Sequence, residues 1–113
     1  MSINMSSPIK KLTQNLFKQH EDKILVIVLR DPNSKLPQLE KNKLVIAYNI
    51  TIGSFLVFLR SRLKLPNHKS LFLSTKEGDY VPTLNETMAE IYQKYHSEDK
   101  ALYFYYREEN AYG

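Results

Sequence analysis

KLVIAYNITIGSFLVFLRSRLKL, residues 43–65, has the pattern of a strand followed by a helix. β-branched and aromatic side chains dominate Lys43–Tyr48, which is typical of a half-buried strand. Thr51 is expected to cap a following helix, because its hydroxyl can accept a hydrogen bond from an unpaired N–H group at the helix start. Pro66 is expected to end that helix. Apolar residues at helical spacing predict its buried face: Ile52, Phe55, Leu56, Leu59 and Leu63.

The edge of this predicted helix carries residues suited to recognition. Phe58 lies beside the buried face, three residues after Phe55, where its ring can line a groove. Arg60, Arg62 and Lys64 fall on the solvent side, near the carboxyl end of the helix, where the helix dipole favours cations. The second half of the stretch therefore predicts a core-packed helix with a basic outer surface.

The residues before this stretch predict another helix and a central strand. Ser7-Pro8 suits the start of a helix that runs to about His20. Its apolar face would hold Ile9, Leu12 and Leu16. Lys23–Arg30 is a nearly continuous apolar run, typical of a strand buried on both faces. We expect it to pair antiparallel with the strand at Lys43.

The residues after the stretch predict three further strands and a short helix. Ser70–Thr75 suits a short strand, and Tyr80–Val81 a brief returning strand after a turn. Thr87–Glu90 has the pattern of a capping box, in which each residue satisfies a backbone N–H group of the other. The last strand is expected at Ala101–Tyr106.

This order of elements predicts an α+β fold with the β-grasp architecture of ubiquitin. Its mixed sheet would have one main helix across it, a short amino-terminal helix, and the last strand beside the first. We expect an amino-terminal helical extension at 1–22, the ubiquitin-like domain at 23–106 and a flexible tail at 107–113.

Composition limits the class of protein. A chain of 113 residues allows one domain, and a hydrophobic fraction of 42% argues against disorder. The absence of cysteine excludes disulfides, a thiolate nucleophile and cysteine metal sites. No run has the length of a signal-peptide core or a membrane-spanning helix. The net charge of +4 suits an acidic partner, an anionic membrane or nucleic acid, without choosing among them.

Motifs for catalysis and metal binding are missing from the sequence. His20, His68 and His96 are far apart and lack metal-ligand spacing. Phosphate-loop, GxSxG and GxGxxG motifs are absent. We therefore expect no enzyme activity, no cofactor and no metal, and surface recognition as the function.

Several short motifs follow one another in a specific order along the chain. They are Leu39-Glu40-Lys41-Asn42-Lys43, Thr51-Ile52-Gly53-Ser54-Phe55, Leu59-Arg60-Ser61-Arg62-Leu63, Thr87-Met88 with Ile91-Tyr92, Glu98-Asp99 with Leu102-Tyr103, and Glu109-Asn110-Ala111-Tyr112-Gly113. Each motif is weak alone. Together, from about residue 23 to 113, they resemble the autophagy ubiquitin-like modifiers, the GABARAP and microtubule-associated light-chain family.

The resemblance implies a modifier that is used as ubiquitin is used. Gly113 would be joined to phosphatidylethanolamine by the activating and conjugating enzymes of the autophagy lipidation pathway. A cysteine protease would process and delipidate the protein. The protein would be cytoplasmic, and on the autophagosome membrane when lipidated, where it recruits autophagy receptors. No nucleic acid partner is expected.

The resemblance also implies how receptors bind. A receptor with an acidic aromatic-x-x-aliphatic motif would add a strand to the edge of the second strand and place its two anchors in two pockets. The aliphatic pocket would comprise Leu44, Ile46, Ala47, Ile50, Phe55 and Phe58. The aromatic pocket would comprise Leu25, Lys43, Val45 and Ala101, with Leu16 or Phe17 from the first helix. Arg62 would meet acidic residues of the motif.

The sequence departs from the family at several positions. Ala47 stands where the family usually has proline. Ala101 stands where it usually has phenylalanine, so the aromatic pocket is expected to be wider or shallower. The sister autophagy modifier, which is conjugated to a protein lysine, is the alternative. Its usual terminal pair is Trp-Gly, against Tyr112-Gly113 here.

Two hypotheses from other classes stay open. A small basic RNA-binding domain would stack bases on Tyr103 and Tyr105, unless these tyrosines pack in the sheet. Its phosphate-contacting patch would be Lys41, Lys43, Arg60, Arg62 and Lys64. A structural subunit that docks by its sheet and is never conjugated is the other hypothesis.

Overall fold

A computed structural model of the chain describes residues 8–19 and 22–108, with the backbone alone for 14–19. Its elements in chain order are helix α1 (Pro8–Gln19), strands β1 (Lys23–Arg30) and β2 (Lys43–Ala47), helix α2 (Ile52–Leu63), strand β3 (Phe72–Thr75), helix α3 (Met88–Tyr95) and strand β4 (Leu102–Arg107). No helix in this part of the chain is long and apolar enough to cross a membrane.

The strands form one mixed sheet in the order β2-β1-β4-β3. β1 pairs antiparallel with β2 and parallel with β4, and β3 pairs antiparallel with β4. The predicted neighbourhood of the first and last strands is therefore confirmed. Residues of β1 alternate between the main core on one face of the sheet and a smaller cluster on the other, so its continuous apolar run is buried on both faces, as the sequence indicated.

The main core lies between α2 and the sheet. Phe55 of α2 and Phe104 of β4 are fully buried, and their ring centroids are 6.1 Å apart. Leu59 also has 0% of its surface exposed. Leu56, which the sequence placed on the buried face, is only half-buried at the edge of this core.

The opposite face of the sheet carries a smaller cluster and the amino-terminal helix. Leu25, Ile27 and Ala101 form this cluster, and Ile9 of α1 packs against it. The hydroxyl of Thr13 donates a hydrogen bond to the backbone carbonyl of Asp99 at 2.9 Å, which ties α1 to the turn before β4. Leu12 was predicted to share the packed face of α1, but 45% of its surface is exposed, so that prediction is wrong.

The two ends of α2 differ in how well the sequence predicted them. The Thr51 hydroxyl accepts a hydrogen bond from the N–H group of Ser54, so the predicted cap is confirmed. Pro66 does not end the helix. The helix ends at Leu63 because Lys64 adopts a left-handed conformation, with φ 55° and ψ 44°, and its N–H group bonds back to the carbonyls of the last turn.

The segment after β3 is a turn rather than the predicted hairpin. The Thr75 N–H group donates to the Tyr80 carbonyl at 2.8 Å, but the Tyr80 N–H group donates to the hydroxyl of Thr75 at 2.9 Å. The side chain thus replaces the backbone carbonyl that a ladder would need, and Pro82 has no N–H group to continue it. The predicted strand at Tyr80–Val81 is therefore wrong.

Candidate functional site

β2 is an edge strand, and one side of its backbone is open. Asn42 and Tyr48, which flank β2, form backbone hydrogen bonds with the β1 segment at 2.8 and 3.0 Å. Along an antiparallel strand, the backbone groups of successive residues point alternately towards the neighbouring strand and away from it. Asn42 and Tyr48 point towards β1, so the odd-numbered residues between them point away from it. The outward residues are Lys43, Val45 and Ala47. Apart from the Ala47 carbonyl, which accepts from Ile50 at 3.2 Å, their backbone groups can pair with an added strand.

A groove of about 680 Å³ lies between the segment Pro37–Lys41 and the last turns of α2. Its lining combines an apolar floor with a mainly basic rim. The lining residues are Pro37, Gln38, Leu39, Glu40, Lys41, Leu44, Phe58, Arg62, Leu63 and Lys64. Leu44 belongs to β2, so the groove adjoins the open edge on the α2 side of the sheet.

Phe58 and Arg62 form the centre of the groove wall that α2 supplies. Phe58 is half-buried and packs against the fully buried Phe55, with ring centroids 6.1 Å apart. The guanidinium carbon of Arg62 lies over the Phe58 ring, 4.9 Å from its centroid. Phe58 thus offers an aromatic surface that is anchored to the core on one side and covered by a cation on another.

The opposite wall of the groove is held by the end of β4. The hydroxyl of Tyr106 donates to the Pro37 carbonyl at 2.7 Å and accepts from the Leu39 N–H group at 3.0 Å. Arg30 donates to the Leu36 carbonyl at 2.9 Å, and the Leu36 side chain is buried. Burial raises the pKa of Tyr106, so its hydroxyl keeps its proton at neutral pH and can donate. The wall is therefore a fixed part of the fold.

Glu108 holds the start of the segment between β1 and β2 through hydrogen bonds. Its carboxylate accepts from the Ser34 hydroxyl at 2.6 Å and from the Lys35 N–H group at 2.9 Å. The Ser34 hydrogen bond lowers the pKa of Glu108. Arg107 is the last residue of β4, so the predicted tail is wrong for its first two residues. Its remainder, with Gly113, lies outside the described residues.

The predicted aliphatic pocket is partly assembled. Leu44, Phe58 and Arg62 meet in the groove. Ile46 and Ile50 are half-buried against the main core, and Phe55 lies beneath the groove with 1% of its surface exposed. Ala47 alternates to the other face of β2.

The predicted aromatic pocket lies on the α1 face of the same edge. Leu25 and Ala101 are buried there, and they form a floor. Val45 is opposite Leu25 in the register, and 53% of its surface is exposed, while Lys43 is opposite Ile27 and also exposed. The side chains of Leu16 and Phe17 in α1 lie outside the described residues.

The sequence analysis did not predict the groove wall at Pro37–Lys41, because most of the residues between β1 and β2 are polar. The available signal was Leu36 and Leu39, two leucines three residues apart in an otherwise polar segment. Leu36 is buried and Leu39 packs against the main core.

Two of the residues proposed for nucleic acid binding, Arg60 and Tyr103, are engaged within the fold. The guanidinium of Arg60 donates to the carbonyls of Pro66 and Lys69 at 2.9 and 2.6 Å. Tyr103 donates its hydroxyl proton to Asp99 at 2.6 Å, and Lys76 lies over its ring. Burial and the Asp99 hydrogen bond raise the pKa of Tyr103. Within residues 8–19 and 22–108, no group of acidic residues and histidines could hold a metal ion.

Comparison with known proteins identifies the family. The family described as Autophagy protein Atg8 ubiquitin like matches residues 9–113. The chain is 31% identical over 96 residues to Autophagy-related protein 8 of Candida albicans, which covers 85% of this chain and 70% of that protein. It superposes on the crystal structure of Trypanosoma brucei ATG8 with a TM-score of 0.82 and 29% identity, covering 100% of this chain and 99% of that one. The predicted ubiquitin-like fold is thereby confirmed, and the chain belongs to the Atg8 family of autophagy ubiquitin-like proteins.

Proposed function

We propose that this protein is conjugated through Gly113 to phosphatidylethanolamine and recruits receptors that carry acidic aromatic-x-x-aliphatic motifs. The observation that carries the receptor part is the open edge of β2 beside a groove with an apolar floor and a basic rim. An extended peptide can complete the sheet at such an edge, because its backbone groups satisfy those of the strand.

The spacing of the motif fits the two faces of this edge. Side chains of an extended peptide alternate, so two anchors three residues apart point to opposite faces of the added strand. The groove at Leu44 and Phe58 lies on the α2 face and would take the aliphatic anchor. The surface over Leu25 and Ala101, beside Val45, lies on the α1 face and would take the aromatic anchor.

The charges around the groove favour an acidic ligand. Lys41, Arg62 and Lys64 line it, against one carboxylate, that of Glu40. Lys43 is exposed on the neighbouring edge. Rim charges of this kind accelerate association and set the register of a ligand, whereas buried apolar anchors supply most of the affinity.

The receptor part is tested by titrating a peptide with an acidic aromatic-x-x-aliphatic motif, measured by calorimetry. Phe58→Ala should weaken binding at least about tenfold and more than Arg62→Ala does, as expected for an anchor contact. Val57→Ala is the matched control, since this neighbour on α2 is 68% exposed and does not line the groove. Equal affinity for a peptide with both anchors changed to alanine would refute this reading.

Membership of the Atg8 family and the chemistry of glycine as an acyl donor support the conjugation part. With no side chain next to the carboxylate, Gly113 can enter a narrow active site and be activated without obstruction. The chain has no cysteine, so any thioester must form on the thiol of a partner enzyme, and this protein supplies the acyl group. Transfer to the lipid amine would anchor a cytoplasmic protein stably, because a phospholipid carries two acyl chains.

The conjugation part is tested by incubation with the activating and conjugating enzymes of the lipidation pathway, ATP and phosphatidylethanolamine vesicles. We expect a lipid-dependent gel shift that Gly113→Ala abolishes and that the control Asn110→Ala retains. A shift that needs a protein acceptor instead of lipid would favour the sister modifier. If Gly113→Ala binds vesicles as well as the intact chain, the conjugation mechanism is wrong.

A further inference from the structure

Arg62 lies within the groove rather than beside it. Its guanidinium carbon is 4.9 Å from the centroid of the Phe58 ring, and both residues line the groove. They are four residues apart on α2, a spacing that places side chains on the same face of a helix. The cation therefore covers aromatic surface that a ligand in the groove would need.

The contact between Arg62 and Phe58 is weak enough to be exchanged. Arg60, two residues earlier, is held by backbone carbonyls of the segment that follows α2. Arg62 is exposed, and no carboxylate among the described residues forms an ion pair with it. A cation over an aromatic ring at an exposed site contributes little, so a better partner can draw it away.

We infer that Arg62 is a gate that determines which peptides enter the groove, an inference that rests on the proposed receptor binding. An aliphatic side chain that packs on Phe58 has to displace the guanidinium. A peptide carboxylate near the groove gives the displaced Arg62 a new partner, and a charge-assisted hydrogen bond is stronger than the contact that is lost. A peptide with the same aliphatic residue but no carboxylate offers the displaced Arg62 no new partner. The groove would thus select peptides that have both an aliphatic anchor and a nearby carboxylate.

The gate and simple attraction between charges predict different changes in peptide affinity when Arg62 is removed. If Arg62 only attracted acidic peptides, its removal would weaken them and leave a neutral peptide unchanged. If Arg62 also covers Phe58, its removal should tighten a neutral aliphatic peptide. Lys64 is the matched control, because it lines the same groove and carries the same charge without lying over a ring in this structure.

The experiment uses two peptides that differ only in having glutamine in place of the glutamates beside the anchors. Arg62→Ala should bind the neutral peptide about 2- to 5-fold more tightly than the wild type does, the range for an exposed cation–π contact. Lys64→Ala should weaken the acidic peptide, because a groove charge is lost, and should not tighten the neutral one, because no ring is uncovered. An Arg62→Ala protein that binds the neutral peptide no better than the wild type would overturn the inference.

A second measurement needs no peptide. In the free protein, the Arg62 side-chain protons should be shifted upfield in NMR spectra by the Phe58 ring current, and Phe58→Leu should remove that shift. Absence of the shift in the wild type would overturn the gate. If the shift is present but neither peptide binds, both the gate and the proposed receptor binding fail. If both peptides bind and Arg62→Ala affects them in the same direction, the gate alone fails.

Discussion

Removal of one hydroxyl, by Tyr106→Phe, tests how the outer wall of the groove is held. The ring is fully buried and stays in place, so the change creates almost no cavity. What is lost is the hydrogen bond to the Pro37 carbonyl at 2.7 Å and that from the Leu39 N–H group at 3.0 Å. At about 0.5–1.5 kcal/mol for each, the free energy of unfolding should fall by about 1–3 kcal/mol.

Urea unfolding followed by circular dichroism measures this change. The slope of the free energy with urea should be the same for variant and wild type, because the surface exposed on unfolding is the same. Tyr105→Phe is the matched control. Tyr105 is the neighbouring residue of β4, and its hydroxyl makes no hydrogen bond to any described residue, so we expect a change within about 0.5 kcal/mol.

The same variant should also affect binding. Without the Tyr106 hydroxyl, Pro37–Leu39 loses its attachment to β4, and the groove loses a fixed wall. Peptide affinity should fall for Tyr106→Phe and stay constant for Tyr105→Phe. If the two variants are equally stable and bind peptide equally well, the hydroxyl does not hold the wall, and the reasoning is refuted.

Three further predictions concern stability. Leu59→Ala should lower the free energy of unfolding by about 2–5 kcal/mol in urea titrations, because Leu59 has 0% exposure between α2 and the sheet; a loss below about 1 kcal/mol would argue against this packing. Thr87→Ala should cost about 1 kcal/mol by removing the cap of α3, and an unchanged unfolding midpoint would show that the cap contributes nothing. Glu108 has a lowered pKa in the folded state, so its contribution is present above the unfolded-state pKa of about 4.3 and is lost as the pH falls through the folded-state value. The stability difference between the wild type and Ser34→Ala should therefore shrink between pH 7 and pH 3, and an equal difference at both pH values would contradict the assignment.

Residue patterns were sufficient to predict the features that depend on near neighbours in the chain. Thr87 and Glu90 form both hydrogen bonds of the predicted capping box, and Thr51 caps α2, because partners three residues apart meet in any helix start. The run Lys23–Arg30 predicted a central strand, because consecutive side chains point to opposite faces and an apolar run therefore needs a sheet that is covered on both faces. Local geometry and hydrophobic patterning were sufficient for these elements.

Two predictions were wrong where a local hydrogen bond or backbone conformation differed from the one that the residue pattern suggested. The hydroxyl of Thr75 accepts a hydrogen bond from the Tyr80 N–H group, so the strand predicted at Tyr80–Val81 does not form. Lys64 adopts a left-handed backbone conformation, which is uncommon for lysine and could not be predicted from its residue type. This conformation ends α2 at Leu63, before Pro66 is reached. Such choices depend on the balance of individual contacts, which residue spacing does not report.

The construction of the groove depends on contacts between residues that are distant in the chain. Arg60 and Arg62 look alike in the sequence, yet one is held by backbone carbonyls and the other lies over Phe58. Tyr106 reads simply as a strand residue, but its hydroxyl bonds to Pro37 and Leu39, which lie 69 and 67 positions away in the chain. No local pattern encodes a contact across that separation, because the partners meet only after β4 has paired with β1 and brought the end of one strand against the connection that follows the other.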